Sequence, residues 1–312
     1  MYFIVEDCPK GLCNSMWAGL NIYTYCLQHF YSVSIPAFEK HHKLFNLKEL
    51  LLSSNQPGLQ DYLYINKRPW YLNKKILDII GIKSKKISDS YSFIEKLLNI
   101  RRIKSWKELS QNSNKHFIEN REFIRSKIFP YSIVIDKINS LFPNDNSQVL
   151  GMHLRGGDYR YWRNGNYYFN EDLFINFITN YLEQDVNRKC FIATNEKKWS
   201  ELLIDNFGEK IIIGGDPITD LWGLANSNWI IGPPSTFSMF ASFWKNTPLR
   251  IMLSPKDYND LFMPEDHILA LNIFSSGKFA DFIISSENVW YSGGCKAIPT
   301  IFSSCSCKYF IT

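Results

Sequence analysis

The sequence has no long uninterrupted apolar run, and its 7 cysteines include no pair with the spacing of a metal or redox motif. Because no stretch approaches about 18 consecutive apolar residues, we predict no transmembrane helix. The first residues, MYFIVE, have neither a basic leader nor a long apolar core, so they do not predict a signal peptide. Reduced thiols are the default in the cytosol, and we therefore expect a cytoplasmic protein.

Several catalytic signatures are also absent. The loop Lys10–Asn14 has too few glycines for a dinucleotide fingerprint or a P-loop, which disfavours a dinucleotide oxidoreductase. No closely spaced pair of acids follows a predicted strand, as a metal-bridged diphosphate would need, so we expect neither a metal nor a cofactor. The HExxH, GxSxG and protein-kinase signatures are missing as well.

The length and the charge distribution limit the number of domains and the kinds of partner that we expect. At 312 residues the chain exceeds the usual size of one core and predicts two domains. The net charge is +5, but the segment 61–129 carries 16 Lys and Arg against 7 Asp and Glu, a net of +9. This excess indicates an anionic partner such as a nucleotide, a phospholipid surface or an anionic glycan, and we do not expect a nucleic acid. Solvated lysines on helix faces would explain it equally.

Hydrophobic periodicity and turn residues predict an α/β protein with two halves. A strand at 2–5, a glycine-bearing loop and a helix at 15–30 open the first half, and a mainly helical middle region follows from 47 to 130. The turn cluster Pro143–Ser147 predicts the boundary, which gives an amino-terminal domain, 1–147, and a carboxyl-terminal domain, 148–312. The second domain alternates strands and helices and predicts a parallel sheet, with strands at 149–154, 190–194, 211–213, 229–231 and 249–253.

The most informative segment is Val149–Trp162, where a buried strand stops at a basic residue, two glycines and an acid. His153, Arg155 and Asp158 lie close together there. Ligands of α/β domains bind at the carboxyl ends of strands, and a guanidinium offers phosphate oxygens a rigid fork of donors. Arg155 is therefore a candidate anion clamp, although an ordinary strand end with a solvated arginine has the same pattern.

A second strand end carries hydroxyl groups. After Gly232 and two prolines, Ser235 and Thr236 open a predicted helix. Ser235 suits an N-cap, and the free N–H groups of a helix start together with both hydroxyls would suit a phosphate. Helix capping alone explains these residues too. In the same way Asp220 could bind a ribose or a base edge, or merely cap a helix, and Glu196 could be a first-turn acid.

Four segments together resemble glycosyltransferase family 11 and its relatives, the α-1,2-fucosyltransferase-like enzymes of GT-B fold that use GDP-fucose. His153–Tyr159, HLRGGDY, is similar to the family's HxRRGDY motif, with Gly156 in place of the second arginine. Ala193–Trp199 is similar to FSDDxxW, and Asp220–Trp244 to the segment that ends near NSSFSWWxAWL. Gly11–Met16 resembles the GLGNQM-type loop. The four segments occur in the family's order.

The resemblance implies two Rossmann-like domains that face each other across a cleft, the first with a helical insertion. It implies an inverting, metal-independent transfer of fucose from GDP-fucose to a sugar hydroxyl of a glycan that the first domain binds. Arg155 would hold the β-phosphate of GDP. The other donor contacts would come from Ser235, Thr236 and Phe237 at the diphosphate and nucleoside, Asn195 and Asp220 near the guanosine, and Gly11 and Asn14 from the first domain.

Such a reaction needs a base for the attacking hydroxyl. Asp158 is the first candidate and His153 the second, but Asp158 could instead orient Arg155, and His153 could be a buried strand residue. The acceptor would be a lipid-linked glycan or a cell-surface polysaccharide precursor, with peripheral contact to the inner membrane face through 61–129. The alternatives are a GT-B enzyme with another nucleotide-sugar donor, and a non-catalytic protein that binds a glycan or a lipid surface.

Overall fold

The computed structural model describes residues 2–7, 11–35, 45, 70–86, 88–105, 121–143, 147–245, 247, 249–252, 289–290 and 296–297. The chain divides into two compact units, Met1–Phe129 and a second unit that begins at Pro130. Each unit has its own parallel sheet. No helix in the described ranges combines the length and the apolar character that crossing a bilayer requires.

The first unit contains a three-stranded parallel sheet in the order β2-β1-β3. Alternate side chains of the central strand face opposite sides, and Tyr2 and Ile4 share a buried cluster with Leu77 and Ile94 of two covering helices. The strands are β1 (Tyr2–Asp7), β2 (Ser32–Ser34) and β3 (Ile100–Ser105), and the helices are α1 (Leu12–Gln28), α2 (Trp70–Ile79), α3 (Phe93–Leu98) and α4 (Arg121–Lys127).

Strand β3 lies in the region that the sequence predicts to be mainly helical, and that prediction is wrong at this point. Two adjacent arginines interrupt the apolar alternation that normally marks a strand. Arg102 is nevertheless buried, since its guanidinium bonds to the carboxylates of Glu6 and Asp78, the latter at 2.6 Å. These partners are distant in the sequence, so local periodicity does not reveal the strand.

The second unit alternates strands and helices, which confirms the sequence prediction, and every predicted strand is found with bounds that differ by at most two residues. Its strands are β4 (Val149–Leu154), β5 (Lys189–Thr194), β6 (Ile211–Ile213), β7 (Trp229–Gly232) and β8 (Leu249–Ile251). Its helices are α5 (Ser132–Leu141), α6 (Glu171–Glu183), α7 (Lys197–Phe207), α8 (Pro217–Asn226) and α9 (Thr236–Lys245). Single turns of 3₁₀ helix occupy Gly157–Arg160, Trp162–Gly165 and Gly208–Lys210, and a short antiparallel pair joins β9 (Val289–Trp290) to β10 (Lys296–Ala297).

All five strands of the second sheet are parallel, in the order β6-β5-β4-β7-β8. Even-numbered residues of β4 bury one face of the sheet in a cluster with the aromatic side chains of α6 and α7. Odd-numbered residues, among them His153, lie on the opposite face, where helices α8 and α9 pack. The chain therefore crosses over to both faces, as in a doubly wound fold.

Helix α5 belongs to the second unit, so the boundary lies at Pro130 and not at 148. The Lys137 ammonium donates to the Gly214 carbonyl at 2.8 Å and pairs with the Asp216 carboxylate at 3.1 Å. The ring of Phe142 lies 5.5 Å from that of Phe191. The turn cluster on which the predicted boundary rests therefore falls within the second unit. Of the basic segment, 61–69, 87 and 106–120 lie outside the described residues, as does most of the chain after 252.

Candidate functional site

The centre of the second sheet is a topological switch point. Strand β4 pairs with β5 on one side and with β7 on the other, so the chain turns away from β4 in opposite directions in the two halves of the sheet. In open α/β sheets the space outside the carboxyl ends of such strands is where ligands bind. Arg155 follows β4 directly, and Pro233 follows β7. The topology therefore brings both strand ends singled out by the sequence to one place.

Arg155 is held from one side at this switch point. Its guanidinium pairs with the Asp158 carboxylate at 3.0 Å and lies 5.6 Å from the centre of the Tyr159 ring. Its Nε is buried and has no acceptor among the described residues. A half-exposed guanidinium with unused donors can accept an anion.

The two glycines after Arg155 form a turn that β5 holds from the side. The Gly156 N–H donates to the Asn195 side-chain carbonyl at 3.0 Å, and the Gly157 N–H donates to the Glu196 carboxylate at 2.6 Å. Gly157 has a φ of 51°, in the left-handed region that glycine adopts at little cost. The predicted guanosine contact, Asn195, therefore braces the turn that carries Arg155, and Glu196 shares this role, which the sequence did not assign to it.

The loop between β7 and α9 is tied to the Arg155 segment. The hydroxyl of Tyr159 donates to the Pro234 carbonyl at 2.6 Å, inside the protein. The Ser235 hydroxyl accepts the Phe237 N–H at 3.2 Å, which confirms the predicted N-cap at the start of α9. Ser235, Thr236 and Phe237 are each partly exposed at this helix start.

Of the two roles that the sequence allows for His153, a catalytic base or a buried strand residue, the structure shows the buried strand residue. It is only 4% exposed, and its ring lies 5.0 Å from that of Phe237. Burial, reinforced by the charge of Arg155, lowers the pKa of His153 to about 3. The imidazole is therefore neutral at physiological pH. Its Nδ1 is buried and has no hydrogen-bond partner among the described residues.

Asp158 has the opposite environment. Its side chain is 62% exposed while its carboxylate pairs with Arg155. It can orient the guanidinium and still be reached by a proton donor from solvent. Of the two candidate bases, Asp158 is the accessible one.

Asp220 lies in the first turn of α8, and its carboxylate reaches back to the residues that follow β6, the strand beyond β5 from the switch point. Its carboxylate accepts the Gly215 N–H at 3.0 Å, and burial raises the pKa of Asp220 to about 7. The helix cap is Asp216, whose carboxylate accepts the N–H groups of Ile218 and Thr219 at 3.2 and 2.9 Å. The structure thus assigns the capping role to Asp216, with a proline at the first helical turn, a common start signal.

Gly11 and Asn14 lie in the first unit, at the start of α1, the helix that follows β1 in the chain. Gly11 has a φ of 89°, and its carbonyl accepts the Ser15 N–H at 3.0 Å, which closes the first helical turn. Among the residues that the structure describes, no cluster of His, Cys, Asp and Glu has the makings of a metal site.

No protein-family profile matches the sequence, and no curated protein matches it either. Solved structures do match. POFUT1 in complex with GDP is 10% identical over 80% of this chain and 98% of its own, with a TM-score of 0.52, and the apo form of POFUT1 gives 10% over 80% and 97%, with 0.50. The fucosyltransferase NodZ from Bradyrhizobium is 13% identical over 80% and 94%, with 0.46.

At this level of identity the likeness concerns the fold. The predicted α/β fold class, with a parallel sheet in each of two units, is confirmed, and the fold is shared with POFUT1.

Proposed function

We propose that this protein is a glycosyltransferase that moves fucose from GDP-fucose to a sugar hydroxyl of a glycan. The observation that carries the proposal is the convergence of Arg155 and the Ser235 helix start at the switch point, joined by the bond from Tyr159 to Pro234. The family 11 motif set supports it, as does the fold shared with POFUT1, which was crystallised with GDP.

The donor site we propose holds the diphosphate between Arg155 and the start of α9. Departure of GDP leaves negative charge on the β-phosphate, and donors already in place stabilise such charge best. Arg155 would supply a cation, and Ser235 and Thr236 would supply hydroxyls beside the N–H groups of the helix. Phe237 would pack against the nucleoside. Since these groups provide the stabilisation, the reaction we propose is metal-independent.

The guanosine would extend from the diphosphate toward the ends of β5 and β6. Asn195 could offer its amide N–H₂, because only its carbonyl is used by Gly156. Asp220 would offer a carboxyl group at the end of β6.

The transfer we propose inverts the anomeric carbon. The acceptor hydroxyl oxygen attacks that carbon in line as the bond to the β-phosphate oxygen breaks, and GDP leaves with the bonding pair. Asp158 takes the hydroxyl proton, because it is exposed beside Arg155. The neutral, buried His153 is a poor base for this step. The acceptor would be a lipid-linked glycan or a cell-surface polysaccharide precursor, made in the cytoplasm.

Calorimetry with GDP and release of GDP from GDP-fucose in the presence of a glycan panel test the proposal. Wild type should bind GDP, and Arg155→Ala should lose at least about tenfold in affinity, as expected for one charge-assisted contact. Arg160→Ala is the matched control, since Arg160 is exposed and lies over the Tyr168 ring. A wild-type protein that does not bind GDP refutes the donor site.

Two further experiments test metal independence and the identity of the donor sugar. Activity that survives EDTA supports the metal-independent route, whereas activity abolished by EDTA and restored by manganese contradicts it. A panel of GDP- and UDP-sugars identifies the donor, and turnover of another nucleotide sugar in preference to GDP-fucose would replace fucose in the assignment.

A further inference from the structure

Large apolar side chains are exposed along one edge of the first unit. Phe30 is 95% exposed, Ile79 84%, Phe93 78% and Leu97 69%, and Leu98 is exposed as well. We call these five residues the apolar edge. Single exposed apolar residues are ordinary, but a group of them at one place marks an interaction surface.

The strand register places three of them at the amino-terminal end of the sheet. Tyr2, the first described residue of β1, pairs with the first residue of β2 and with the first residue of β3. Phe30 comes just before β2, and Leu97 and Leu98 come just before β3. All three therefore precede the first paired residues of their strands.

Helix α2 ends at the same level. Lys85 forms a parallel bridge to Ile103, so the extended residues that follow α2 run beside β3 in the same direction. Ile79, the last residue of α2, precedes this stretch. A Cβ on Gly81 would lie 3.3 Å from the Ile94 side chain, so the end of α2 touches α3. In α3, Phe93 and Leu97 are one turn apart and share its outer side.

The same surface is basic. Lys75 lies one turn before Ile79, and Lys96 is adjacent to Leu97. The exposed acids between 70 and 105 are already engaged: Asp78 is paired with Arg102, and Asp89 accepts the Lys86 backbone N–H at 2.9 Å. Lys74 pairs with Glu6 at 3.6 Å. Among the described residues no carboxylate forms an ion pair with the other exposed lysines of this stretch, which are Lys75, Lys83, Lys86, Lys96 and Lys104.

We propose that the apolar edge and its lysines bind the surface of a membrane that contains anionic lipids. Phenylalanine, leucine and isoleucine gain free energy by entering the headgroup boundary, and flanking lysines are attracted to acidic headgroups. A nucleic acid would interact favourably with the lysines but not with the aliphatic side chains. Because the edge is the amino-terminal end of the sheet, the opposite end, which carries Gly11 and Asn14, faces away from the lipid. The inference does not depend on the proposed function.

Vesicle flotation with the full chain tests the proposal, with phosphatidylcholine vesicles and with vesicles that also contain phosphatidylglycerol. The double variant Phe30→Asn/Leu97→Gln removes two anchors. Phe30 has a φ of 55°, a conformation that asparagine adopts more readily, so this change relieves backbone strain. The matched control is Val186→Asn, which alters an exposed apolar side chain of the second unit.

Wild type should float with the anionic vesicles and bind them more weakly in about 0.5 M NaCl. The double variant should bind at least about tenfold more weakly, since burial of even one such side chain contributes about that factor. Val186→Asn should bind as wild type does. The charge reversal Lys75→Glu/Lys96→Glu should lower binding to the anionic vesicles and change binding to phosphatidylcholine little.

Three results would overturn the proposal. The first is a wild-type protein that does not float with anionic vesicles. The second is equal binding by wild type and both double variants. In the third, light scattering shows a dimer that Phe30→Asn/Leu97→Gln dissociates while vesicle binding is absent, which would assign the edge to a second copy of the chain.

Discussion

The side chain of Glu196 occupies the space that a side chain at Gly156 would need. A Cβ on Gly156 would overlap the Glu196 Cγ, while the carboxylate accepts the Gly157 N–H at 2.6 Å. The family 11 motif has a second arginine at this position, and here a carboxylate from the end of β5 fills the place. Arg155 is therefore the arginine that we propose for anion binding at this turn.

Gly156→Ala should destabilise the protein by about 1–2 kcal/mol, because the added methyl group displaces Glu196 from its hydrogen bond with Gly157. Urea denaturation measures the change in the free energy of unfolding. In a Glu196→Ala background the methyl group has room, so the same substitution should cost markedly less. Equal costs in the two backgrounds would show that the two side chains do not compete for one space.

Tyr159→Phe should cost about 1–2 kcal/mol of unfolding free energy, since it leaves the buried Pro234 carbonyl without the donor at 2.6 Å. It should also weaken GDP binding, because the loop before Ser235 loses its tie to the Arg155 segment. Tyr161→Phe is the matched control, as Tyr161 is an exposed tyrosine of the same segment. If both variants unfold at the same urea concentration, the bond from Tyr159 contributes nothing measurable.

Asp220→Asn should stabilise the protein at pH 8. Burial raises the pKa of Asp220 to about 7, above the value of about 3.9 in an unfolded chain, so the folded protein binds this proton more tightly. Its contribution to stability is complete below about pH 4 and is lost as the pH rises through about 7. Asparagine keeps an acceptor for Gly215 without the charge, and the gain at pH 8 should be on the order of 2 kcal/mol.

Urea denaturation of wild type and Asp220→Asn at pH 4 and pH 8 checks this prediction. The difference between their free energies of unfolding should be smaller at pH 4. Asp216→Asn is the control of opposite sign. Burial works against the Asp216 carboxylate, but hydrogen bonds from Thr219 and Lys137 outweigh it and hold the pKa of Asp216 below its usual range. This variant should lose stability at pH 8. A gain for Asp220→Asn that is the same at both pH values would contradict the assignment.

His153 should remain neutral well below pH 6. Because burial lowers its pKa to about 3, its ring carbon protons should keep the chemical shifts of a neutral imidazole between about pH 7 and pH 4. Proton NMR of wild type and His153→Gln assigns the signal among the 6 histidines. A His153 signal that shifts over this pH interval would show that the imidazole is open to solvent.

The sequence predicts the second unit well because its strands are short, mainly apolar runs, and each lies in the sheet beside strands of the same kind. Strand β3 is not predicted by its apolar pattern, because Arg101 and Arg102 are buried by partners from elsewhere in the chain. Arg102 needs Glu6, at a separation of 96 residues, which no local pattern contains.

In the candidate site, too, some features follow from local sequence patterns and others depend on distant partners. Arg155 and Ser235 can be found from the sequence, since each follows a strand end and has the chemistry of anion binding. The bonds that fix them cannot, because Glu196 and Pro234 reach Gly157 and Tyr159 only through the order of the strands. The sequence allows Asp220 to cap a helix, and only the observed helix start at Pro217 shows that Asp216 is the cap.

The central place of β4 has a consequence for how the chain is made. The Val149 N–H donates at 2.7 Å to the side chain of Asn228, a separation of 79 residues, and β4 pairs with β7 over Leu150–Met152. During synthesis β4 therefore leaves the ribosome long before one of its two neighbours exists. Late pairing of distant parallel strands slows folding and leaves an apolar strand edge open meanwhile. Nascent chains that stop before β7 should thus be the ones that chaperones retain.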